Sequence, residues 1–401
     1  MTIVPNKALS SHDSRILIVA GTRPEAIKLA PVYLAFREMR PAQTIHWCST
    51  GQHTDMLDSV LETFGISADH KFRLLRPDTT LTQMAGTALH KLNDVIEQFR
   101  PDWLVCQGDT TSAFCAALAA FYSGVKVAHV EAGLRTYDLA HPYPEEGNRR
   151  LIAPLADLHF APTLAARDNL LIERIPQDII RVTGNTGIDA MRRILEAPET
   201  NRLKDFKAWF ESNLGSRRFF LITGHRRENW GAGLKNLCAA VRQVLEELDD
   251  IAAVYSLHLN PNVQTLVRKS LGGKDRVHLL PPLDYREFIW LMSRAMIILT
   301  DSGGIQEEAP ALGKPVLVFR EKTERPEGVA AGTAKLVGIQ SETIRRAVLE
   351  LLTDQAAYDR MAKAVSPYGD GHASERIVAD LCPVPDAYRQ VGVDNIIDCA
   401  A

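Results

Sequence analysis

Carboxylate side chains follow two neighbouring apolar runs in the first half of the chain, and a third lies shortly beyond them. Asp109 comes just after residues 103–107, Glu131 just after residues 125–130, and Glu145 lies in HPYPEEGNRR. A positioned carboxylate can remove a proton as a general base and return one as a general acid. Such runs predict neighbouring strands whose ends share one edge of a sheet, so the three acids predict proton transfer on a bound substrate.

The HPYPEEGNRR segment contains two prolines. Proline fixes one backbone dihedral angle and removes a hydrogen-bond donor, which disfavours regular structure around it. We therefore expect Glu145 and the adjacent Glu146 to lie on an irregular loop.

Imidazole and guanidinium groups follow the apolar run at residues 219–223. The sequence there is GHRRENWG, with His225, Arg226 and Arg227 in succession. Guanidinium groups bind phosphate oxygens through charge-assisted hydrogen bonds, and a histidine can protonate a leaving oxygen. The segment predicts a phosphate site with a proton donor beside it.

A second cluster in the C-terminal half of the chain combines small residues with acids. In DSGGIQEEAP, Ser302, Gly303 and Gly304 begin a predicted helix, and Glu307 and Glu308 follow. Donors at a helix N-terminus bind phosphate, whereas a nearby carboxylate accepts hydrogen bonds from ribose hydroxyls. A nucleoside diphosphate offers both partners, so the cluster predicts a site for one.

The apolar run at residues 16–20 ends in GTRPEAIK. Thr22 can cap a helix whose first turn accommodates Pro24, and Arg23 and Lys28 place cations at the same helix end. This combination predicts an anion site.

Motifs for common cofactors and metals are missing from the sequence. No GxGxxG follows a predicted strand, and Gly313-Lys314 precedes proline rather than the serine or threonine of a P-loop. None of the 12 histidines lies in an HExxH or a similar ligand spacing. We predict no cofactor and no metal site, which argues against an oxidoreductase or an NTPase.

Composition narrows the class further. The 401 residues carry a formal net charge of −3, so no basic face for nucleic acid is expected. The sequence shows no signal peptide and no apolar stretch of membrane-spanning length, and its six cysteines form no CxxC pair. We expect a cytoplasmic protein with reduced, buried thiols and no membrane contact.

Short apolar runs alternate with helix-like stretches, which is typical of parallel sheets covered by helices on both faces. The predicted strands form one series at 16–20, 44–48, 103–107, 125–130, 158–161 and 179–183, and a second at 219–223, 252–258, 277–280, 296–300 and 316–319. Two series predict an α/β fold with two Rossmann-like domains. Because residues 192–217 are charged and poor in β-branched residues, we place the hinge just before them, near 184–189, giving domains at 1–185 and 186–366.

Segments along nearly the whole chain resemble the non-hydrolysing UDP-N-acetylglucosamine 2-epimerases of bacteria. In order, they are GTRPEAIKLAP, GDTTS, HVEAGLRT, PEEGNRR, VTGNTGIDA, TGHRREN, HLNPNV, LTDSGGIQEEAPALGKPVL, TERPEGV and SPYGDGHASERI. The resemblance implies a glycosyltransferase-B-type architecture, with two Rossmann-like domains facing across a cleft. It also implies a homodimer, a C-terminal helix within 367–385 that crosses back to the first domain, and a tail at 386–401.

The same resemblance assigns site residues. The family's catalytic residues are matched by Asp109, Glu131, Glu145 and His225. Its UDP-binding residues are matched by Arg23, Lys28, Ser302, Gly303, Gly304, Glu308 and Arg325, with Glu308 rather than Glu307 at the ribose.

Two segments depart from the family's pattern. Gln107 stands where many members have histidine before Gly-Asp, and in GQHTDML the histidine precedes Thr54 and Asp55 where members often have arginine next. In bacterial members the second stretch helps to bind an additional, activating substrate molecule. The residues that correspond to such an allosteric site are Gln52, His53, Arg226 and His258.

The implied reaction is reversible epimerisation at C2 of UDP-N-acetylglucosamine, which yields UDP-N-acetylmannosamine for cell-surface polysaccharides. Three alternatives stay open: a 2-epimerase for a modified sugar nucleotide such as a diacetamido uronic acid, a retaining glycosyltransferase of the same architecture, and an inactive nucleotide-sugar sensor. A glycosyltransferase requires an acceptor, whereas an epimerase does not. A sensor would keep the UDP site and lose the acids, which this sequence retains.

Overall fold

A computed structural model describes residues 14–51, 54–74, 79–224, 226, 229–258 and 260–383. The chain divides into two compact units. The first comprises Met1–Asp189 and Gly371–Ala401, and the second comprises Ala190–Asp370. Within the described ranges, every helix is too short or too polar to cross a membrane.

A parallel sheet forms the centre of the first unit. Its strands are β1 (Arg15–Ala20), β2 (Thr44–Ser49), β3 (His70–Lys71), β4 (Trp103–Gln107), β5 (Lys126–Val130), β6 (Leu158–Ala161) and β7 (Ile180–Val182). In the described part of the chain they lie in the order β3-β2-β1-β4-β5-β6-β7. All of β1 except its first residue is buried, as expected of a strand with helices on both faces.

Helices cover this sheet and close the first unit. They are α1 (Arg23–Met39), α2 (Thr54–Thr63), α3 (Leu81–Phe99), α4 (Thr111–Tyr122), α5 (Glu145–Ile152), α6 (Leu164–Ile172), the first part of α7 (Thr186–Glu196) and α16 (Ala373–Leu381). One face of β1, with Leu17 and Val19, packs with α3 and α4 in a buried cluster. The C-terminal α16 packs on α1, and the side chain of Arg40 donates to the carbonyl of Cys382 at 3.1 Å.

The second unit is built on a separate parallel sheet. Its strands are β8 (Arg218–Thr223), β9 (Ile251–Ser256), β10 (Val277–Leu280), β11 (Ile298–Thr300), β12 (Val316–Val318) and β13 (Ala334–Leu336), in the order β10-β9-β8-β11-β12-β13 within the described residues. Its helices are α8 (Asn201–Asn213), α9 (Ala232–Glu247), α10 (Pro261–Leu271), α11 (Tyr285–Arg294), α12 (Gly303–Ala311), α13 (Pro326–Ala330), α14 (Ser341–Thr353) and α15 (Gln355–Ala362). Phe220 and Ile222 of β8 pack with α9 and α14 in its core.

The predicted pair of parallel α/β sheets is confirmed, and several details are corrected. The short edge strands β3 and β13 were missed, because two or three residues leave too little pattern to detect. β9 ends at Ser256, so His258 lies beyond the strand that was predicted to contain it. The charged stretch at 192–217 consists largely of helix, in α7 and α8. The predicted tail at 386–401 lies outside the described residues.

Candidate active site

A cavity of about 380 Å³ lies at the carboxyl ends of β1, β4 and β5 in the first unit. Its lining includes Glu25, Lys28, Asp109, Glu131, Glu145 and Asn148. Ligands of parallel α/β sheets bind at this edge, because the loops that follow the strands converge there. The structure therefore brings the three predicted acids together, with a lysine beside them.

Hydrogen bonds hold the turn that carries Asp109 from two sides. Gly108 has φ +71°, a backbone conformation that glycine adopts without strain. The Gly108 carbonyl accepts from Nε2 of His129 at 2.7 Å, and the Asp109 carbonyl accepts from Nδ2 of Asn148 at 2.9 Å. Burial lowers the pKa of His129 to about 3, so this imidazole stays neutral near pH 7. The Asp109 carboxylate forms an ion pair with Arg149.

Glu131 follows β5 in an unusual backbone conformation. Its φ is +61°, in the left-handed region that residues with a side chain rarely adopt. Strain of this kind persists only where the surrounding structure holds it, and it concentrates at functional sites. The Glu131 carboxylate forms an ion pair with Lys28, which comes from the second turn of α1.

Glu145 lies in the first turn of α5, so the prediction of an irregular loop for Glu145 and Glu146 is wrong. Pro144 precedes the helix at its N-cap position, where the missing N–H has no cost for the helix. Oε2 of Glu145 is buried and has no hydrogen-bond partner among the described residues. Glu146 instead accepts the N–H groups of Thr136 and Tyr137 at 3.0 Å each. Glu145 therefore lines the cavity, whereas Glu146 holds a neighbouring loop.

The cavity contains a fourth carboxyl group, Glu25, which was not predicted from the sequence. It is 1% exposed, and it accepts from the N–H of Gly21 at 3.1 Å and from the hydroxyl of Thr110 at 2.8 Å. Burial raises the pKa of Glu25 to about 7, against the opposing effect of these hydrogen bonds. The signal was present, because Thr22 with glutamate three residues later matches a capping-box sequence.

The predicted anion site at the start of α1 is present in part. Lys28 lines the cavity, whereas Arg23 is half-buried at the first position of the helix and lies outside the cavity lining. Thr22 occupies the N-cap position but makes no side-chain capping bond, contrary to its predicted role.

The second unit has a cationic helix N-terminus. Ser302 is the N-cap of α12, and Gly303 and Gly304 are its first residues. A side chain at Gly303 would lie within 3.8 Å of the guanidinium groups of both Arg226 and Arg325. Two guanidinium groups above a helix N-terminus form a binding site for an anion such as a diphosphate. Arg226, predicted at an allosteric site, is thus found beside the residues predicted to bind UDP.

Acidic side chains orient these two arginines. Arg325 forms an ion pair with Glu307, which is buried. Arg226 binds Glu324 through two hydrogen bonds of 3.1 Å. Burial raises the pKa of Glu324, but the guanidinium groups of Arg226 and Arg320 more than offset it, so the net pKa is lowered.

The two glutamates of α12 have different surroundings. Glu307 is buried and engaged with Arg325, whereas Glu308 is half-buried. An oxygen of Glu308 accepts from the hydroxyl of Tyr285 at 3.5 Å. Glu308 is therefore the more accessible of the two to a ribose.

The remaining predicted site residues fall outside these clusters. Three of them, Gln52, His53 and His225, lie outside the described residues. His258 is exposed beyond β9, where its Nδ1 accepts from the N–H of Asn260 at 3.2 Å. Within the described ranges, no cluster of three or more histidine, cysteine, aspartate or glutamate residues has the arrangement of a metal site.

Two α/β units, each built on a parallel sheet, and the similarity to solved structures of UDP-GlcNAc 2-epimerases place the chain in the glycosyltransferase-B-like class of fold. Residues 37–381 match the family model described as UDP-N-acetylglucosamine 2-epimerase. The chain belongs to this family, which confirms the resemblance found in the sequence.

Relatives from several organisms are similar over most of their length. The UDP-N-acetylglucosamine 2-epimerase of Neisseria meningitidis is 46% identical over 368 residues, which cover 92% of this chain and 99% of that relative. A crystal structure of the Neisseria meningitidis enzyme bound to UDP-GlcNAc has a TM-score of 0.85, at 46% identity, over 92% of this chain and 99% of that one. The enzyme of Methanocaldococcus jannaschii in complex with UDP-GlcNAc and UDP has a TM-score of 0.76, at 34% identity, over 92% and 99% of the two chains.

Proposed function

We propose that this protein catalyses the reversible C2 epimerisation of UDP-N-acetylglucosamine to UDP-N-acetylmannosamine. The grouping of Asp109, Glu131 and Glu145 with Lys28 in one cavity carries this proposal. Membership of the epimerase family and the UDP-GlcNAc bound to the Neisseria meningitidis relative give the substrate class.

Chemistry at C2 favours elimination over simple deprotonation. No carbonyl adjoins C2 in the sugar ring, so a carbanion there would lack enolate stabilisation. A base instead removes the C2 proton while the C1–O bond to UDP breaks, with its electrons leaving on the diphosphate oxygen. The products are 2-acetamidoglucal and UDP. Re-addition of UDP to C1, with a proton delivered to the opposite face of C2, gives the epimer without any net oxidation.

We assign the proton transfers to Asp109, Glu131 and Glu145. Removing a proton and returning one on the other face require two differently placed groups, and the cavity offers three carboxylates. Each general acid–base step can contribute roughly 10²–10⁴-fold to the rate. The buried Glu145 oxygen without a hydrogen-bond partner among the described residues suits Glu145 to accept the C2 proton.

We assign binding of the diphosphate and the ribose to residues of the second unit. The N–H groups of Gly303 and Gly304 and the hydroxyl of Ser302, with Arg226 and Arg325, would bind the diphosphate and stabilise its charge as it leaves. The Ser302 N–H itself donates to the Thr300 hydroxyl at 3.0 Å. Glu308 would accept hydrogen bonds from the ribose hydroxyls. By resemblance, Arg23 and Lys28 are further candidates for UDP binding, and His225 is a candidate for protonating the leaving oxygen.

The proposal extends to the protein's setting. Exposed aromatic residues on α4, Phe121 and Tyr122, and exposed Leu151 on the adjoining α5 offer apolar surface for the homodimer that the resemblance implies. We place the enzyme in the cytoplasm, where the cysteine thiols of the described residues, which are buried and unpaired, would stay reduced. Its product would feed cell-surface polysaccharide synthesis.

The test is incubation with UDP-GlcNAc alone in D₂O, followed by proton NMR. We expect a new anomeric signal from UDP-ManNAc and loss of the C2 proton signal in both epimers as deuterium enters. An epimer that keeps its original C2 hydrogen would contradict elimination. Absence of conversion with UDP-GlcNAc, but conversion of a diacetamido uronic acid nucleotide or transfer to an added acceptor, would favour the corresponding alternative function.

A further inference from the structure

We propose that Glu25 is a positioning residue for this reaction, which holds the Asp109 turn against helix α1 through the hydroxyl of Thr110. The inference rests on the proposed function and adds a residue to it. Glu25 is almost fully buried at the edge of the cavity, so its influence on the substrate passes through its neighbours.

Each oxygen of the Glu25 carboxylate has a defined donor. Oε2 accepts from the N–H of Gly21 at 3.1 Å, in the turn between β1 and α1. Oε1 accepts from the hydroxyl of Thr110 at 2.8 Å, in the turn between β4 and α4. Thr110 Oγ1 in turn accepts from the N–H of Ala113 at 3.0 Å as the N-cap of α4. The hydroxyl hydrogen and one lone pair are thereby used, which fixes the residue that follows Asp109.

The turn at Gly21 packs so closely against its neighbours that it has no room for a side chain at this position. A Cβ at Gly21 would lie 2.3 Å from Oγ of Ser112 and 2.5 Å from Oγ1 of Thr50. Thr50 itself donates to Ser112 at 3.0 Å. Glu25 therefore joins two closely packed turns, because each oxygen of its carboxylate accepts a hydrogen bond from one of them.

Two residues of helix α1 connect it to two of the reacting acids. Glu25 reaches the turn of Asp109 through Thr110, and Lys28, three residues later, forms the ion pair with Glu131. Residues three apart on a helix share a face, so both links act from the same side of α1. A displacement of α1 would move Asp109 and Glu131 together.

The ionisation state of Glu25 matters because only the carboxylate accepts at both oxygens without offering a hydrogen. Burial raises the pKa of Glu25 to about 7, so the group titrates near neutrality. The titratable and charged groups that face it are Cys106 beneath it on β4 and, around the cavity, Lys28, Asp109, Glu131 and Glu145. We therefore expect kcat to rise with pH through about 7 as Glu25 ionises.

The experiment compares wild type with Glu25→Gln by kcat, KM, a pH profile and UDP affinity. Glutamine keeps the shape but presents an NH₂ group to one of the two donors. We expect kcat to fall roughly 10- to 100-fold, as small displacements of reacting groups produce, with UDP affinity unchanged. The rise of kcat through about pH 7 should disappear. Glu287→Gln is the matched control, because Glu287 also occupies the third position of a helix, α11, where its carboxylate accepts from the N–H of the N-cap residue Asp284 at 3.0 Å.

A second variant tests the route through Thr110. Thr110→Val removes the hydroxyl and keeps the shape, whereas Thr110→Ser keeps the hydroxyl. We expect Thr110→Val to lower kcat and Thr110→Ser to retain it, and we expect Glu25→Gln to have little further effect once Thr110 is valine. Full turnover with an unchanged pH profile in Glu25→Gln, or additive losses in the double variant, would overturn the inference. An inactive wild type with UDP-GlcNAc would instead contradict the proposed function, and this inference with it.

Discussion

The ammonium group of Lys28 forms an ion pair with the carboxylate of Glu131, and these side chains are only 13% and 10% exposed. Glu131 makes this contact from a backbone with φ +61°. A left-handed conformation costs a residue with a side chain roughly 1–2 kcal/mol, and glycine avoids that cost. The protein therefore keeps a glutamate where the backbone favours glycine, as expected of a position selected for its side chain.

The first prediction separates the backbone cost from the ion pair. Glu131→Ala and Glu131→Gly both remove the carboxylate and should both abolish turnover. They differ only in backbone freedom, so we expect the glycine variant to be more stable than the alanine variant by about 1 kcal/mol in urea unfolding.

Asp94 provides the control for that comparison, since it is exposed in the interior of α3. There glycine should be less stable than alanine by about 0.5–1 kcal/mol, which reverses the sign. Equal stability of the two Glu131 variants would show that position 131 is not strained.

Long apolar strands were predictable from sequence because their pattern is local. The bounds of β4 and β6 match the prediction, and both are near-continuous apolar runs with a neighbouring strand on each side. The edge strands β3 and β13 carry polar residues and gain their conformation from a single neighbour. α5 was missed because its helix begins directly after Pro144, and a proline that ends a loop and one that starts a helix look alike in sequence.

Site residues were predictable from the sequence where they directly follow a predicted strand, because the end of the strand fixes their position at the edge of the sheet. Asp109 and Glu131 were found in this way. Their partners were not, because Arg149 reaches Asp109 from 40 residues away and Lys28 reaches Glu131 from 103 residues away. Glu25 was missed because its capping-box pattern predicts an ordinary helix start, and only the folded chain brings Thr110 to it.

The second prediction concerns stability and pH at Glu25. Its pKa is about 7 in the folded protein and about 4.5 when unfolded. Between these values the unfolded chain has released the proton while the folded chain retains it, so the free energy of unfolding falls as pH rises through this window. The full effect is roughly 3 kcal/mol. Glu25→Gln should remove this component, so the difference in the free energy of unfolding between wild type and variant should change between pH 4.5 and 8. If the free energies of unfolding of wild type and variant, measured with urea, changed in parallel with pH, the raised pKa of Glu25 would be contradicted.

The third prediction separates two roles of Arg325. Arg325→Ala should weaken UDP binding roughly 10- to 100-fold, because a charged donor at the diphosphate is lost. It should also lower the free energy of unfolding by roughly 3 kcal/mol, because the Glu307 carboxylate is 4% exposed and would lose its ion pair with Arg325. Calorimetry and thermal unfolding measure the two effects.

The double variant Glu307→Gln with Arg325→Ala distinguishes them. Removing the buried charge that Arg325 balances should restore most of the stability but none of the UDP affinity. If affinity returned together with stability, Arg325 would act on the nucleotide only by supporting the fold.

The fourth prediction tests Asp109 as a reacting group. Asp109→Asn keeps the side-chain shape and the backbone contact to Asn148, but it removes the charge opposite Arg149. Turnover should fall roughly 10²–10⁴-fold, and deuterium entry at C2 should fall with it. UDP affinity should stay within about twofold, because Asp109 is not among the residues proposed to bind the nucleotide.

Asp157→Asn is the matched control for Asp109→Asn. Asp157 accepts from the N–H of Val127 at 2.8 Å, at the amino end of β5 and therefore at the edge of the sheet opposite Asp109. Asparagine keeps an acceptor oxygen for this N–H but loses the charge, so stability should fall by about 1 kcal/mol at most. Turnover should stay unchanged, because this hydrogen bond only joins two elements away from the cavity. Equal losses of turnover in the two variants would mean that Asp109 acts through the fold of the first unit. A loss confined to Asp109→Asn, at unchanged melting temperature, is the result expected of a carboxylate that exchanges protons with the substrate.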